Sequence, residues 1–150
     1  MYQSEPEVRR LAKNVKQAVT TEEITSVGRL VAATIDARLR ANHWWPIDTR
    51  GVDLRLNPPA TIVQIANLLV AGILEHRSYA QVEGGDSRTA SYGAYLQAQG
   101  EALLEKLASH STEFVEPELE KVMPIRHRAS PQVHHPVAGF RRMRPRGGVL

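Results

Sequence analysis

Residues 57–77, NPPATIVQIANLLVAGILEHR, decide the fold of this chain. Asn57 suits a helix N-cap, and the prolines at 58 and 59 are tolerated in a first turn because the N–H that proline lacks has no partner there. From Ala60 to Leu74 nearly every residue is apolar, which predicts a helix buried on all sides, with Glu75 to Arg77 returning it to solvent. We therefore expect this helix at the centre of an all-α bundle.

Two helices are predicted before the central one. The first runs from about Pro6 to Val19, with Ser4 as its N-cap. The second opens on Thr20 to Glu23, where the threonine and Glu23 can form a capping box, and ends near Asn42. Its apolar stripe at helical spacing consists of Ile24, Val27, Val31, Ile35 and Leu39. This stripe requires a packing partner.

An irregular stretch and a fourth helix complete the body. Between Asn42 and Asn57, Pro46 and Gly51 break the helical pattern, and apolar residues alternate with charged ones as in a short hairpin or an extended arm. A turn at Gly84-Gly85 then leads into a helix over about Ala90 to Ser109. Its two sides are Tyr92, Leu96, Leu103 and Leu107 on one and Gln97, Glu101 and Glu105 on the other. The sequence thus predicts about four helices with one irregular insertion.

The chain changes composition near residue 110, which divides it into a helical domain, 1–110, and a basic tail rich in proline and arginine, 111–150. The domain holds 12 acids and 12 bases, whereas the tail holds 4 acids and 7 bases. The last 26 residues contain six arginines and no acid. Such a segment cannot bury enough apolar surface to fold alone, so we expect it to be extended and to order against a partner.

The composition excludes several classes of function. The chain has no cysteine, which removes cysteine nucleophiles and thiolate metal sites. The longest apolar run, Ile62 to Leu74, is interrupted by Gln64 and Asn67 and is shorter than the ~20 residues that cross a bilayer. The N-terminal residues contain no apolar signal core. We expect a soluble protein with no membrane partner.

No metal site or catalytic group is predicted. The histidines of the tail, His127, His134 and His135, stand among prolines and arginines without a nearby carboxylate, and cationic neighbours repel a metal ion. A Ser/His/Asp set around Ser87 has no nucleophile elbow, and no phosphate-binding glycine loop is present. We therefore expect no enzyme activity and no cofactor.

Two groups of residues in the helical domain are candidates for an interface. Trp44 and Trp45 either close one end of the core or anchor an interface, because tryptophan supplies a large contact area at low entropic cost. Arg9, Lys13 and Lys16 share one side of the predicted first helix. They form either a solvated face or a surface for phosphates or an acidic partner.

The tail contains the strongest candidates for binding: Arg126, Arg128, Phe140, Arg141, Arg142, Arg144 and Arg146. Clustered arginines bind nucleic acid by counterion release, although Phe140 is the only ring besides histidines near them to stack on bases. Apolar residues also recur at intervals through the tail, from Val115 to Met143. This pattern favours a strap that docks along another protein subunit, while a solubilising tail stays an alternative.

Three stretches resemble one known family. They are VGRLVAATIDARLR at 27–40, PPATIVQIANLLVAGILEHRSYAQ at 58–81, and GGDSRTASYGAYLQAQGEALLEKL at 84–107, with a tryptophan and proline loop after the first. This order is similar to the head-tail connector (adaptor) proteins of long-tailed bacteriophages and related gene-transfer particles. The family pattern has a helix ending in "ID..L", a proline-opened helix beginning "P..I..IA", a "GD.S" turn, and a last helix ending in "L..L". The long basic tail and the additional N-terminal helix depart from it.

The resemblance implies a structural virion protein of the phage neck and carries over no catalytic residue. Such a subunit assembles as a ring, typically a dodecamer, beneath the portal protein and continues the channel for genomic DNA towards the tail, without sequence recognition. It joins the portal to the next neck or tail-completion protein, in the host cytoplasm during assembly and then at the head-tail junction. C-terminal segments of the family commonly reach into the portal. The alternative from the residues alone is a small helical nucleic-acid-binding protein that uses the basic tail, and an enzyme accessory subunit is a third.

Overall fold

A computed structural model describes residues 1–14, 18–41, 43, 45–47, 51–81 and 87–109. These residues form α1 (Glu5–Leu11), α2 (Thr21–Arg40), α3 (Ala60–Gln81) and α4 (Ser87–Ala108) and contain no strand, which confirms the all-α class. No helix among them combines the length and the hydrophobicity that spanning a membrane requires. The predictions for the Gly84-Gly85 turn and for the tail 111–150 lie outside the described residues.

Helix α3 is the centre of the bundle, as predicted. It contacts α1, α2 and α4. Ile62, Ile65, Val70 and Ala71 point in different directions around the helix and are all inaccessible to solvent. A helix covered on several sides needs apolar residues around most of its circumference, which is the pattern of its sequence.

Helices α3 and α4 approach each other closely at glycines. A Cβ atom placed on Gly72 would lie 2.8 Å from both the carbonyl oxygen of Gly93 and the amide nitrogen of Gln97. On α4, Gly100 faces the side chain of Leu69. The predicted apolar side of α4 is confirmed at Leu96 and Leu107, while Tyr92 and Leu103 are partly buried; Leu104, which the prediction omitted, is 1% exposed.

Helix α2 begins with the predicted capping box. The Thr20 hydroxyl accepts a hydrogen bond from the Glu23 backbone N–H at 3.2 Å, and the Glu23 carboxylate accepts one from the Thr20 backbone N–H at 2.8 Å. Two of the N–H groups that a helix start leaves without partners are thereby satisfied. The entire predicted stripe is buried: Ile24, Val27, Val31, Ile35 and Leu39. The helix ends at Arg40, two residues before the predicted end.

The prediction that the first helix extends to Val19 is wrong, because α1 ends at Leu11. The Asn14 backbone N–H, which would bond within a longer helix, instead donates to the Glu75 carboxylate at 2.9 Å. The Asn14 side-chain amide donates to the other oxygen of Glu75 at 3.1 Å. Glu75 is fully buried, so the prediction that it faces solvent is also wrong. His76 and Arg77 are exposed, as predicted.

The insertion between α2 and α3 is irregular, as predicted, and in its described part it folds back on itself. Within its described part a single antiparallel bridge joins Ile47 to Asp53. Gly51, with a φ of 81°, takes a left-handed conformation that glycine adopts without steric cost. The Asp53 carboxylate accepts a hydrogen bond from the Arg55 backbone N–H at 2.9 Å. This bond closes a turn, so the alternating apolar and charged residues do not continue as an extended strand after Leu54. Only Leu54 of the alternating apolar residues is buried.

Candidate interaction surfaces

Trp45 lies inside the subunit. Its ring is 3% exposed and packs on the Tyr2 ring, with centroids 5.6 Å apart. Its indole N–H donates to Asp36 Oδ1 at 2.8 Å, and the Tyr2 hydroxyl donates to the same oxygen. Of the two interpretations, the structure therefore shows core closure rather than an exposed interface anchor for Trp45. Trp44 lies outside the described residues.

The carboxylate of Asp36 is the link between the N-terminal residues, α2 and the following loop. Burial, and then the hydrogen bond to Asp36, raises the pKa of the Tyr2 hydroxyl well above its ordinary value. Tyr2 consequently remains a hydrogen-bond donor at all physiological pH values. Asp36 belongs to the "ID..L" motif, so the motif aspartate has a structural role in this chain.

Arg9 is committed to contacts within the subunit. Its guanidinium forms a salt bridge with Glu5 at 2.9 Å and donates to the Val19 carbonyl oxygen at 2.8 Å. It also reaches the Thr21 hydroxyl at 3.3 Å, at the start of α2. Thr21 in turn donates to Glu5 at 2.8 Å. Arg9 therefore fastens α1 to α2.

The basic stripe predicted on the first helix is not formed as such. Because α1 ends at Leu11, Lys13 follows the helix instead of sharing a face with Arg9. Its ammonium group lies 5.7 Å from the centroid of the Tyr92 ring, a cation–π contact between the N-terminal segment and α4. Lys16 lies outside the described residues. Arg9 and Lys13 therefore do not share one helix face.

Sequence reasoning missed four buried polar residues among those described: Glu75, Asn67, His43 and Thr61. Asn67 accepts the Ser4 backbone N–H at 2.8 Å, where a Ser4 side-chain cap was expected; that cap bond is not formed. The His43 Nε2 atom lies 3.0 Å from the Leu107 carbonyl oxygen. The signal for Glu75 was its spacing, because it lies four residues after the buried Ala71 and so on the same side of α3.

A cleft of about 530 Å³ opens between α1 and the first turns of α3. Leu11, Val63 and Leu68 contribute apolar surface to it, Gln64 and Asn67 contribute amide groups, and Glu7 and Arg10 also line it. These two charges bind each other at 2.7 Å. The cleft is therefore lined by apolar and amide groups together with one pair of opposite charges that bind each other. Among the described residues, no group of three His, Asp or Glu side chains is placed to hold a metal ion.

All of the candidate binding residues in the tail lie outside the described residues: Arg126, Arg128, Phe140, Arg141, Arg142, Arg144 and Arg146. Comparison of the chain with protein-family models, with curated proteins and with solved structures finds no match.

Proposed function

We propose that this protein is a structural component of a phage neck, a ring subunit beneath the portal that joins the DNA-filled head to the tail and continues the DNA channel. One observation supports the resemblance on which this proposal depends. The motif positions that carry it lie in or against the core of the bundle. Asp36 accepts hydrogen bonds from the buried Tyr2 and Trp45. The other motif residues are buried: Ile35, Leu39, Pro59, Ile62, Ile65, Ala66, Leu104 and Leu107. The residues that carry the resemblance are therefore residues that pack this bundle.

The position of this protein at the head-tail junction and its contacts with the portal are part of the same proposal. We assign portal docking to the tail, with its arginines pairing bidentately with carboxylates or backbone carbonyls of the portal. Extended at ~3.3 Å per residue, the last 26 residues reach up to about 85 Å, enough to cross a neighbouring subunit.

Binding to nucleic acid is the competing function, and the clustered arginines of the tail are the feature that supports it. The cationic side of the predicted first helix, with Arg9, Lys13 and Lys16, would be a second surface for phosphates in such a protein. Arg9 is already engaged by Glu5 and by the Val19 carbonyl, which weakens this surface. Experiments that distinguish the two functions should therefore change residues of the tail.

The test changes Arg141, Arg142, Arg144 and Arg146 together to Gln, and in a matched variant together to Lys. If the tail docks to the portal through guanidinium forks, the Gln variant yields DNA-filled heads without tails, and the Lys variant, which keeps the charge, is also impaired. Binding of purified protein to duplex DNA stays weak at physiological salt.

A nucleic-acid-binding protein gives the opposite pattern. The purified wild-type protein then binds duplex DNA tightly, and each phosphate contact removed flattens the slope of log affinity against log salt by about 0.9. The Lys variant retains that binding because counterion release depends on charge. This result, with normal particle assembly by the Gln variant, would replace the neck proposal by the alternative.

A further inference from the structure

The cleft between α1 and the first turns of α3 lies at the end of the bundle where α4 finishes. A Cβ atom placed on Gly93 would lie 3.0 Å from the carbonyl oxygen of Gly72, and one on Gly100 would lie 2.7 Å from the Leu69 side chain. The contact thus moves towards the start of α3 as it moves towards the end of α4, so the two helices are antiparallel. Leu68, which lines the cleft, faces Gly100 as well. The cleft is therefore next to α4.

The chain leaves α4 within reach of the cleft. Ala60, which lines the cleft, is nine residues before Leu69, and Ser109 is nine residues after Gly100, so Ala60 and Ser109 are at about the same level. The axes of packed helices are ~8–10 Å apart. Residues 110–115 span up to about 20 Å when extended, which is enough to cross that distance. The segment that follows them can therefore enter the cleft of its own subunit.

This next segment has the sequence pattern of α1. Residues 5–12 read EPEVRRLA, and residues 116–123 read EPELEKVM. Both begin with Glu-Pro-Glu, and both have apolar residues at the fourth, seventh and eighth positions and a basic residue at the sixth. In the N-terminal copy of the pattern, Val8 and Ala12 are buried and Leu11 packs against the core. The pattern is thus one that packs on this bundle.

The pattern predicts a second short helix. Proline is favoured in a first turn, and Pro124 disfavours continuation beyond residue 123. The apolar residues are three and four apart, so they share one side of the helix: Leu119, Val122 and Met123. A helix of eight residues is not stable in water by itself. It forms only where its apolar side is covered.

The segment does not suit the position of α1 itself. Arg9 fastens α1 to α2 because its guanidinium binds Glu5 and donates to the Val19 carbonyl oxygen. The corresponding residue of the segment is Glu120. An ionised carboxylate only accepts hydrogen bonds, so it cannot replace a donor to a carbonyl oxygen. The segment therefore requires a site beside α1, which the cleft supplies.

The lining of the cleft matches an amphipathic helix. Val63 is half-buried there, and α1 leaves Leu11 partly exposed. Asn67 is 6% exposed and accepts the Ser4 N–H through its Oδ1 atom. Within the described part of the chain, its Nδ2 donor has no acceptor. The cleft thus offers apolar surface together with a largely buried donor, which a carboxylate such as that of Glu118 can satisfy.

We propose that residues 116–123 form a short helix that docks in the cleft of their own subunit, with Leu119, Val122 and Met123 against α1 and α3. The short connection from α4 gives the segment an effective concentration in the millimolar range, which favours its own cleft over that of another copy. This docking is independent of the proposed neck function. It fixes the point on the subunit from which the arginine-rich remainder of the tail extends.

Disulfide trapping tests the docking in the full-length chain, which has no cysteine of its own. Gln64→Cys with Val122→Cys puts one thiol on the lining of the cleft and one on the apolar side of the segment. Mild oxidation should cross-link the two within one chain. In the control chain, Ala98→Cys replaces Gln64→Cys. Ala98 is exposed on α4 and nearer to Val122 in sequence, so random collision would favour the control, yet little product is expected from it.

The trapping outcomes decide between the possible occupants. A product within one chain that requires the cysteine at residue 64 supports the docking. Equal cross-linking of the control chain would indicate random collision and would overturn the proposal. A product between two chains would assign the cleft to a second copy and would overturn it as well. So would the absence of any product from a chain that is folded by circular dichroism.

Amide hydrogen exchange tests the fit of the apolar side. The first four N–H groups of a helix have no partner within it, so protection is expected for residues 121–123 and not for residues 141–146. Leu119→Asp should remove the protection, because it puts a charge on the apolar side. Lys121→Asp puts the same residue on the opposite side and should retain it. Fast exchange in the wild type, or equal loss of protection in both variants, would show that the apolar side does not hold this segment.

Discussion

Two regions of this bundle are held together by different means. Helices α3 and α4 meet along an apolar surface, with their backbones in close contact at Gly72 and Gly93. The N-terminal residues 1–14 contain only the seven-residue helix α1, and polar bonds hold them at separate points: Tyr2 to Asp36, Ser4 to Asn67, and Asn14 to Glu75. Close packing holds the first region, whereas the second adds individual hydrogen bonds to the burial of Tyr2, Val8 and Ala12.

The difference follows from length. Helices of 22 residues such as α3 and α4 offer enough apolar surface to be stabilised by burial. A helix of seven residues is far too short to be stable by itself, so its position depends on the partners at its ends. We therefore expect mutations in α3 and α4 to affect the whole domain, and mutations of the polar bonds to act first on the N-terminal residues.

The largest effect is expected for Ile65→Ala or Leu69→Ala in α3. Ile65 is inaccessible to solvent and Leu69 is 4% exposed, so either change leaves a cavity in the core. Each should lower the free energy of unfolding by ~2–5 kcal/mol, measured by chemical denaturation. Val63→Ala, at a half-buried position of the same helix, is the control and should cost less. Losses below about 1 kcal/mol at both positions would mean that α3 is peripheral.

Gly72→Ala tests whether close backbone contact matters. Alanine usually favours a helix over glycine by about 1 kcal/mol, so stabilisation would be the ordinary expectation. Here the new methyl group would meet backbone atoms of α4 at 2.8 Å, and the two helices must separate. We expect a loss of about 1–3 kcal/mol in the free energy of unfolding. Gly100→Ala, which meets the movable side chain of Leu69, should be milder; equal effects of both would argue against a backbone-limited contact.

Asp36→Leu should release the N-terminal residues. It removes the acceptor of both Tyr2 and Trp45, and Tyr2 can regain a partner by opening to water. The expected cost in global stability is about 1–3 kcal/mol, because the change takes the acceptor from two buried donors. Amide hydrogen exchange should accelerate in α1 and stay slow in α3 and α4. Asp36→Asn keeps the accepting Oδ1 atom and should be close to wild type, so fast exchange in that variant would assign the anchoring to charge instead.

Apolar periodicity predicted most of this fold. The stripe of α2, the all-round burial of α3 and the capping box at Thr20 all follow from local rules, because neighbours in a helix lie at fixed spacing. Glu75 could not be recognised as buried from its residue type, since carboxylates are rarely inside without a partner. That partner, Asn14, is 61 residues away in sequence.

The candidate sites were harder to predict for the same reason. Arg9 resembled a solvated cation until its contacts with Val19 and Thr21 were known, and the position of those residues depends on where α1 ends.

The smallest expected effect concerns the start of α2. The pKa of the Glu23 carboxyl lies below its ordinary value because the Thr20 backbone N–H and then the Thr20 hydroxyl donate to it. A depressed pKa in the folded state means that this group stabilises the fold above the ordinary pKa of about 4.3 for glutamate, and that the contribution disappears as the pH falls through the folded value. Because Glu23 is fully exposed, the change in stability should be small.

An NMR titration of the Glu23 carboxyl carbon measures this directly. In Thr20→Ala the hydroxyl is lost, and the pKa of Glu23 should rise towards the ordinary value while the backbone bond keeps part of the shift. Arg77→Gln removes the nearby cation that also lowers the pKa of Glu23 and leaves both bonds to Thr20 intact, so the pKa of Glu23 should remain low. If Arg77→Gln abolished the shift and Thr20→Ala did not, the charge of Arg77 rather than the capping box would govern this end of α2.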